Sequence, residues 1–468
     1  MTEAPTTAAK SGRRWALLVA IGFLLLTVIP YLVGLSFAFD RRFMWLGYNL
    51  DDSCVYLSWM RQAADGSFHA LNLFTTEPQH GMALNPLFLV LGRFASLTGL
   101  PLLAVYHLAR IVFGVGLLLV VWEFLVANVA SSRARKLAFL FVCFSAGIGW
   151  LPAWWESRSI LTPIDRWQPE AITFLSLYLS PLFCFSMALQ VGILLLLQRG
   201  ERTGQARYAV AAGLCGLILG LTHTYDVATM AAIWSAYVVV SAVVAIRRKE
   251  GIGPVLPTVL QALLAGIIAA PGALYIYAQL KTETVFHKRM EVQTLSVPLY
   301  WVLAGYGLTF LFALLGIYGA KETLKPAPTS TETDADLTVQ EADSTHELLF
   351  NAASLRLLTV WLLVNLAVAY INVPFQRKLL QGAHFPVAIL AGVGCVWLIY
   401  RIRKTVSPAR FRMKAVAITL LLGLTNFYFM ARDIGNYRDN RAQTGIHRTY
   451  LLPGEINALN WIREHTPP

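Results

Sequence analysis

A chain of 468 residues that is 56% hydrophobic and only 14% charged has too little polar side chain to cover a water-facing surface, which excludes an ordinary soluble globular protein. The formal net charge of +12 comes from Lys and Arg gathered in short clusters between apolar runs, a pattern of membrane topology and not of a nucleic-acid-binding face. Of five cysteines, Cys143, Cys184, Cys215 and Cys395 lie in apolar runs and Cys54 stands alone in a polar loop, so there is no disulfide framework and no metal-spaced cysteine motif.

The first apolar run, about Trp15 to Phe39, follows Lys10, Arg13 and Arg14 and is long enough for the roughly 20 residues a bilayer needs. No short apolar core with a small-residue cleavage site is clear, so the run reads as an uncleaved signal anchor behind a cytoplasmic tail, residues 1–14. Further spans are expected near 102–128, 137–152, 173–198, 208–223, 226–246, 256–280, 299–320, 356–373, 385–400 and 414–430. That makes about eleven helices in one transmembrane domain, 15–430, of an all-α polytopic protein, with no β-barrel pattern. Basic clusters at Arg133, Arg135 and Lys136, at Arg199, Arg202 and Arg207, at Arg247, Arg248 and Lys249, and at Arg401, Arg403 and Lys404 occupy alternate connections. Short cytoplasmic loops retain such residues, so the amino terminus is expected inside and the tail, 431–468, outside.

One stretch tests this topology. "PLFLVLGRFASL", 86–97, is apolar but short and contains Arg93, and it reads as an interfacial or re-entrant helix. If it spanned, every later basic cluster would move outside. The first outer loop, 40–101, is therefore expected to carry juxtamembrane helices, while the acidic cytoplasmic loop 321–356 is expected to be a disordered linker. The tail segment "YLLPGEINALNWIREHTPP" reads as a short amphipathic helix with Ile456, Leu459 and Ile462 on one side.

Within the first outer loop stands "DDSCVYLSWMRQAADG". Adjacent carboxylates repel and are costly beside hydrocarbon, so Asp51 and Asp52 call for water, a cation, a proton or a polyhydroxy ligand. The plainer reading makes them caps of the next helix. The first span, this acidic pair and "NPLFLVLG" some twenty residues later together resemble the GT-C superfamily of integral membrane glycosyltransferases, above all its protein O-mannosyltransferase and aminoarabinose-transferase branch. The motif likeness covers the first hundred residues, and the rest is similar in architecture. In that branch the pair is typically Asp-Glu with Tyr four positions after the Asp. Here Asp52 and Tyr56 have that spacing, but Ser53 follows Asp52 and the second carboxylate, Asp51, precedes it, so either aspartate is the counterpart.

The resemblance implies transfer of a sugar from a polyprenyl-phosphate-linked donor to a lipid, glycan or protein acceptor on the extracytoplasmic face, with inversion, in a bacterial inner or plasma membrane. Asp51 or Asp52 is then the base, and cations hold the leaving phosphate. Arg377, Lys378 and His384 in "NVPFQRKLLQGAHFP" lie outside against the charge bias and are candidate phosphate ligands, with lipid headgroups as the competing partner. Lys288 and Arg289, beside His287, form a second candidate clamp. "LTHTYD" supplies His223, Tyr225 and Asp226, expected to face a cavity or to form an Asx-capped turn.

The second outer loop adds Trp154, Trp155, Glu156, Asp165, Trp167 and Glu170, whose rings and acids suit a sugar, although the first two tryptophans equally suit a membrane interface. The sugar- or acceptor-binding candidates are thus Tyr56, His80, Asp165, Trp167, Glu170, His223, Tyr225 and Asp226. The outer carboxylates also suit a divalent cation, Mg²⁺ or Mn²⁺, which the branch often does without. Many relatives continue into a soluble outer domain, so acceptor choice is expected from the loops, a partner or a further segment. A transporter or flippase of a lipid-linked saccharide is the competing class, disfavoured by the lack of a convincing internal repeat. A non-catalytic scaffold would leave the acids and aromatics of one face unexplained.

Overall fold

The computed structural model describes residues 7–151, 162–290, 292–324, 349–403, 406–441 and 449–466. Helices α1 (Thr7–Leu26) and α2 (Ile29–Ser36) make the first apolar span, interrupted just ahead of Pro30, which has no backbone N–H to continue the ladder. Strand β1 (Arg42–Phe43) leads into α3 (Leu50–Ala64), the small hairpin of β2 (His69–Ala70) and β3 (Met82–Ala83), and α4 (Pro86–Thr98). Next come α5 (Leu102–Asn128), α6 (Ser132–Phe144), α7 (Thr173–Leu179), α8 (Pro181–Thr203), α9 (Ala206–Thr222) and α10 (Tyr225–Arg247). The rest comprises α11 (Leu256–Thr282), α12 (Thr284–Met290), α13 (Leu299–Thr323), α14 (Ala352–Val368), α15 (His384–Ile402), α16 (Pro408–Leu422) and α17 (Leu424–Arg441). Strand β4 (Tyr450–Leu451) pairs antiparallel with β1, and α18 (Pro453–His465) closes the described chain.

Among the described residues seven helices are long and apolar enough to cross a membrane, or eight if α16 and α17, bent by 49° at Gly423, count as one span. The other spans expected near 137–152, 208–223 and 356–373 fall on α6, α9 and α14, of 13, 17 and 17 residues. The expected span 173–198 is divided at Ser180. That side chain caps α8 by accepting from the Leu182 N–H at 3.2 Å, and Pro181 occupies the first helical position, where its missing N–H costs nothing. α15 is the axis of the core, with every residue from His384 to Val396 buried. The residues Trp154, Trp155, Glu156 and 325–348 lie outside the described residues.

Basic residues gather at one end of the bundle. Arg133 donates to the Tyr400 hydroxyl, Arg202 to the Ala127 carbonyl at 3.2 Å, and the Arg356 guanidinium lies 5.9 Å over the Tyr237 ring. At the opposite end stand α3, α4 and the connections that precede α7, α10 and α15.

Between α6 and α7 the chain leaves the helix while still buried. From Ser145 to Leu151 it runs irregularly, and its backbone is satisfied from elsewhere. The Ala146 N–H donates to Leu422 O at 2.9 Å and the Ile148 N–H to Ala304 O at 3.1 Å; the Phe144 and Gly147 carbonyls accept from Asn426 Nδ2 and Thr425 Oγ1 at 2.8 and 3.1 Å. In an apolar interior every peptide group taken out of a helix needs such a partner. α13 makes room through a kink at Gly307, whose φ of 49° and ψ of −128° belong to glycine alone.

A Cβ at Gly307 would lie 3.0 Å from the Gly147 Cα, whereas one at Gly192 on α8 meets no atom within 4 Å. Gly307→Ala is expected to cost about 1–3 kcal/mol. Gly192→Ala should be neutral or stabilising by up to about 1 kcal/mol. Thermal unfolding of the two purified variants in detergent checks this contrast.

Candidate functional site

The acidic pair sits inside the first turn of α3. Asn49 occupies the N-cap position in a left-handed conformation, with φ 56° and ψ 51°, so neither aspartate is the capping residue. Asn49 Nδ2 donates to Asp52 Oδ2 at 2.8 Å, and the positive end of the helix dipole favours both carboxylates. Asp51 is exposed and Asp52 half-buried. α4 holds the helix from one side: Tyr56 stacks on Phe88 with centroids 4.7 Å apart and also meets Trp59 at 5.9 Å.

Beside this turn an apolar groove of about 320 Å³ runs between Arg42, Met44, Cys54, Leu57, Leu102 and Leu451. Asp51 borders it, since Cys54 lies one turn along α3 on the same face. Burial, then the Asp51 charge, pushes the Cys54 thiol up.

A closed circuit of contacts joins the connections at this end. Tyr48, immediately before Asn49, donates its hydroxyl to the Trp167 carbonyl. The Arg377 guanidinium lies 5.2 Å over the Trp167 ring, while Gln168 Nε2 donates to the Arg377 carbonyl at 3.0 Å. Lys378 Nζ lies 4.7 Å over the Tyr225 ring, which also meets Phe375 at 4.6 Å. His223 Nδ1 is 3.0 Å from Asp226 Oδ2, and Asn85, the N-cap of α4, donates from Nδ2 to the Thr222 carbonyl at 2.8 Å. α4 then returns the circuit to α3.

Burial pushes the Tyr48 phenol up; Arg432 and Arg377 lower it, and Glu170 and Asp433 raise it, which puts these charges around one hydroxyl. Glu170 is buried, and among the described residues its Oε2 has no hydrogen-bond partner. Arg377 is half-buried, and its Nε likewise has none.

Other candidates are drawn elsewhere. Asp165 is fully buried, and its Oδ2 accepts from the Gly147 and Gly149 amides, each at 3.0 Å. His384 is buried at the head of α15, with Nε2 on Ser145 Oγ at 3.1 Å and Nδ1 on Thr173 Oγ1 at 2.8 Å. The Thr173 N–H also points at Nδ1, at 3.4 Å, which makes Nδ1 the acceptor and Nε2 the donor. Lys288 is exposed and pairs with Glu77 at 3.5 Å, Arg289 lies on α12, and the exposed His80 donates its backbone N–H to Glu283 Oε2 at 3.2 Å. Together these contacts dock the segment between α3 and α4 on the α11–α12 corner. Among the described residues no three His, Cys, Asp or Glu side chains group as metal ligands.

Several residues of this end carry no sequence signal of their own. Tyr48 stands three positions before Asp51, and Gln381 lies within the 372–386 stretch, so proximity to a motif is all that marks them. Arg432, which donates to the Arg166 carbonyl at 3.0 Å, lies in what reads as a tail.

The fold defines the class as an all-α, membrane-embedded protein. Neither a scan against protein-family models nor a search of curated proteins returns a match.

Burial raises the Asp165 carboxyl from 3.8 to about 6, against the opposing hydrogen bonds from the Gly149 and Gly147 amides. The folded chain thus holds a proton that the unfolded chain has released, and this contribution to stability is lost as the pH rises from about 4 to about 6, on the order of 3 kcal/mol. Asp165→Asn keeps an acceptor for both amides and should flatten that part of the stability–pH curve. Asp165→Ala leaves two buried N–H groups unpartnered and should cost about 2–4 kcal/mol throughout. Melting temperatures recorded across this pH range separate the two.

Proposed function

We propose that this protein is a GT-C-type glycosyltransferase that moves a sugar from a polyprenyl-phosphate carrier to an extracytoplasmic lipid, glycan or protein acceptor with inversion at the anomeric carbon. The charge bias of the loops supports an outward-facing site at the end opposite the basic clusters. The observation that carries the reading is the half-buried Arg377 guanidinium, laid on Trp167 with its Nε unpartnered among the described residues, in the same circuit of loops as the acidic turn of α3. A cation held by an aromatic face instead of a carboxylate is available to an anion.

In this mechanism Asp51 or Asp52 takes the proton of the acceptor hydroxyl as its oxygen attacks the anomeric carbon. The bond from that carbon to the carrier phosphate breaks, and its electron pair leaves with the phosphate. Arg377 and Lys378 neutralise the charge that develops there. The rings of Trp167 and Tyr225 offer faces for the sugar, and the apolar groove beside Asp51 suits the isoprenoid chain. His384, Asp165 and Asp226, each at most 2% exposed, support the loops from within and take no part in the transfer.

One set of observations favours a carrier of lipid-linked saccharides instead: the kink at Gly307 and the 49° bend between α16 and α17 are breaks of the kind that line transport paths.

The test is transfer of labelled sugar from a panel of polyprenyl-phosphate sugars in membranes with matched amounts of wild type, Asp51→Asn and Asp52→Asn. Loss of about 10²–10⁴-fold in one variant, with donor binding kept, identifies the base. Arg377→Gln is expected to weaken donor use by about 10–100-fold, mainly through KM. Donor translocation without transfer, untouched by either Asn variant, would replace the transferase by the carrier.

A further inference from the structure

Behind the circuit, three elements meet along a buried polar seam. Ser186 and Gln190 lie one turn apart on α8, and Asp226 and Thr229 one turn apart on α10, so each pair shares a helix face. The turn before α15 enters between them. Gln381 Nε2 donates to Ser186 Oγ at 2.8 Å and to Asp226 Oδ2 at 2.6 Å. A Cβ placed on Gly382 would lie 2.5 Å from Gln190 Oε1, so the Gln190 amide reaches the same turn. Phe183, one turn earlier on α8, meets the His223 ring at 6.0 Å and extends the contact of α8 with the head of α10.

All five polar residues of the seam are at most 2% exposed. Among the described residues, however, Asp226 Oδ1, Thr229 Oγ1, both amide atoms of Gln190 and Gln381 Oε1 have no hydrogen-bond partner. Each such buried group costs about 1–3 kcal/mol, and a carboxylate more, so a cluster of them on three elements calls for a shared partner. The chemistry of the set narrows what that partner is. Four hard oxygens, beside the single amide nitrogen of Gln190 and no sulfur, select a hard cation. A single carboxylate balances one positive charge, whereas a divalent ion would leave net charge in an apolar interior. A proton on Asp226 would satisfy one oxygen and leave the other three. His223 stands at Asp226 Oδ2, on the other side of the carboxylate from the unpartnered Oδ1.

We propose that Asp226, Thr229, Gln190 and Gln381 bind a monovalent metal cation. The ion fastens the turn that begins three residues after Lys378 to α8 and α10, and its binding does not depend on any sugar chemistry. The experiment is thermal unfolding of the purified full chain in detergent, titrated with sodium chloride or potassium chloride against choline chloride at constant ionic strength. One of the two metal salts is expected to raise the melting temperature saturably, by about 5 °C. Asp226→Asn keeps an acceptor for Gln381 and removes the charge; it is expected to melt higher than wild type in choline and to lose the metal response. Thr229→Val, which deletes one ligand oxygen without adding volume, should raise the half-saturating concentration about tenfold. Equal melting in all three salts, or a wild-type response retained by Thr229→Val and by any Asp226→Asn that folds, overturns the proposal. Sugar transfer is not part of the readout, so either result leaves the transferase reading to its own test.

Discussion

The structure depends on how it satisfies one stretch of backbone that leaves a helix inside the protein. After Phe144 the chain is still buried, and residues 145–151 cannot turn to water for their peptide groups. Asp165 binds two of these amides, while Thr425 and Asn426 bind two carbonyls from the opposite side. Thr425 also accepts from the Trp150 N–H at 3.1 Å, and Thr309 donates to the Ala146 carbonyl at 2.9 Å. α13, the connection that carries Asp165 and the α16–α17 bend are therefore fixed to one another through a single irregular segment. Partners this far apart in sequence can be satisfied together only when the bundle is assembled.

These ties make one end of the bundle rigid. His384 ties the head of α15 to Ser145 and Thr173, so the turn bearing Arg377 and Lys378 is anchored at its far side. Asp433 on α17 accepts from Tyr178 and, at 3.4 Å, from Tyr437, and Gly47 packs against those same groups just ahead of Tyr48. β1 pairs with β4, and the Tyr450 hydroxyl reaches the Gly34 carbonyl at 2.6 Å. The loop that delivers the acidic turn of α3 is thus held by the first span and by the last. Groups on such supports keep their positions without reorganising, which is what electrostatic stabilisation of a leaving anion requires.

Much of this was legible in the sequence, and the exceptions have a common cause. The long spans are visible as apolar runs because burial in lipid and burial in protein ask for the same side chains, and the divide at Ser180 is announced by a capping serine followed by proline. Nothing in "FSAGIGWLP" discloses that the helix ends at Phe144, since the groups that compensate the break stand as far away as Asn426. In the site, Arg377 and Lys378 stand out because they oppose the charge bias, and the structure brings both to the circuit. His384, four residues beyond Leu380 in the same basic stretch, carries the same signal but begins a buried helix, where hydroxyls and not anions meet it. The sequence marks Asp51 and Asp52 as an unusual pair, but it cannot tell that Asn49 takes the cap in a left-handed conformation and leaves both carboxylates in the turn.

Satisfaction of polar groups separates the roles of these residues better than residue type does. The Asp165 carboxylate accepts from two amides at Oδ2, although its Oδ1 has no partner among the described residues, and His384 has a partner at each ring nitrogen; both read as parts of the frame. Arg377 Nε, Glu170 Oε2 and Asp226 Oδ1 are equally costly to bury, yet among the described residues they have no partner. Buried atoms without a partner among the described residues occur elsewhere too, at Arg110 Nε, Trp234 Nε1 and Trp361 Nε1 for example, but at the circuit and in the seam behind it they belong to several charged or amide side chains of neighbouring elements. Where such groups lie on neighbouring elements, as in the seam of α8, α10 and the turn before α15, a bound partner would offset their cost.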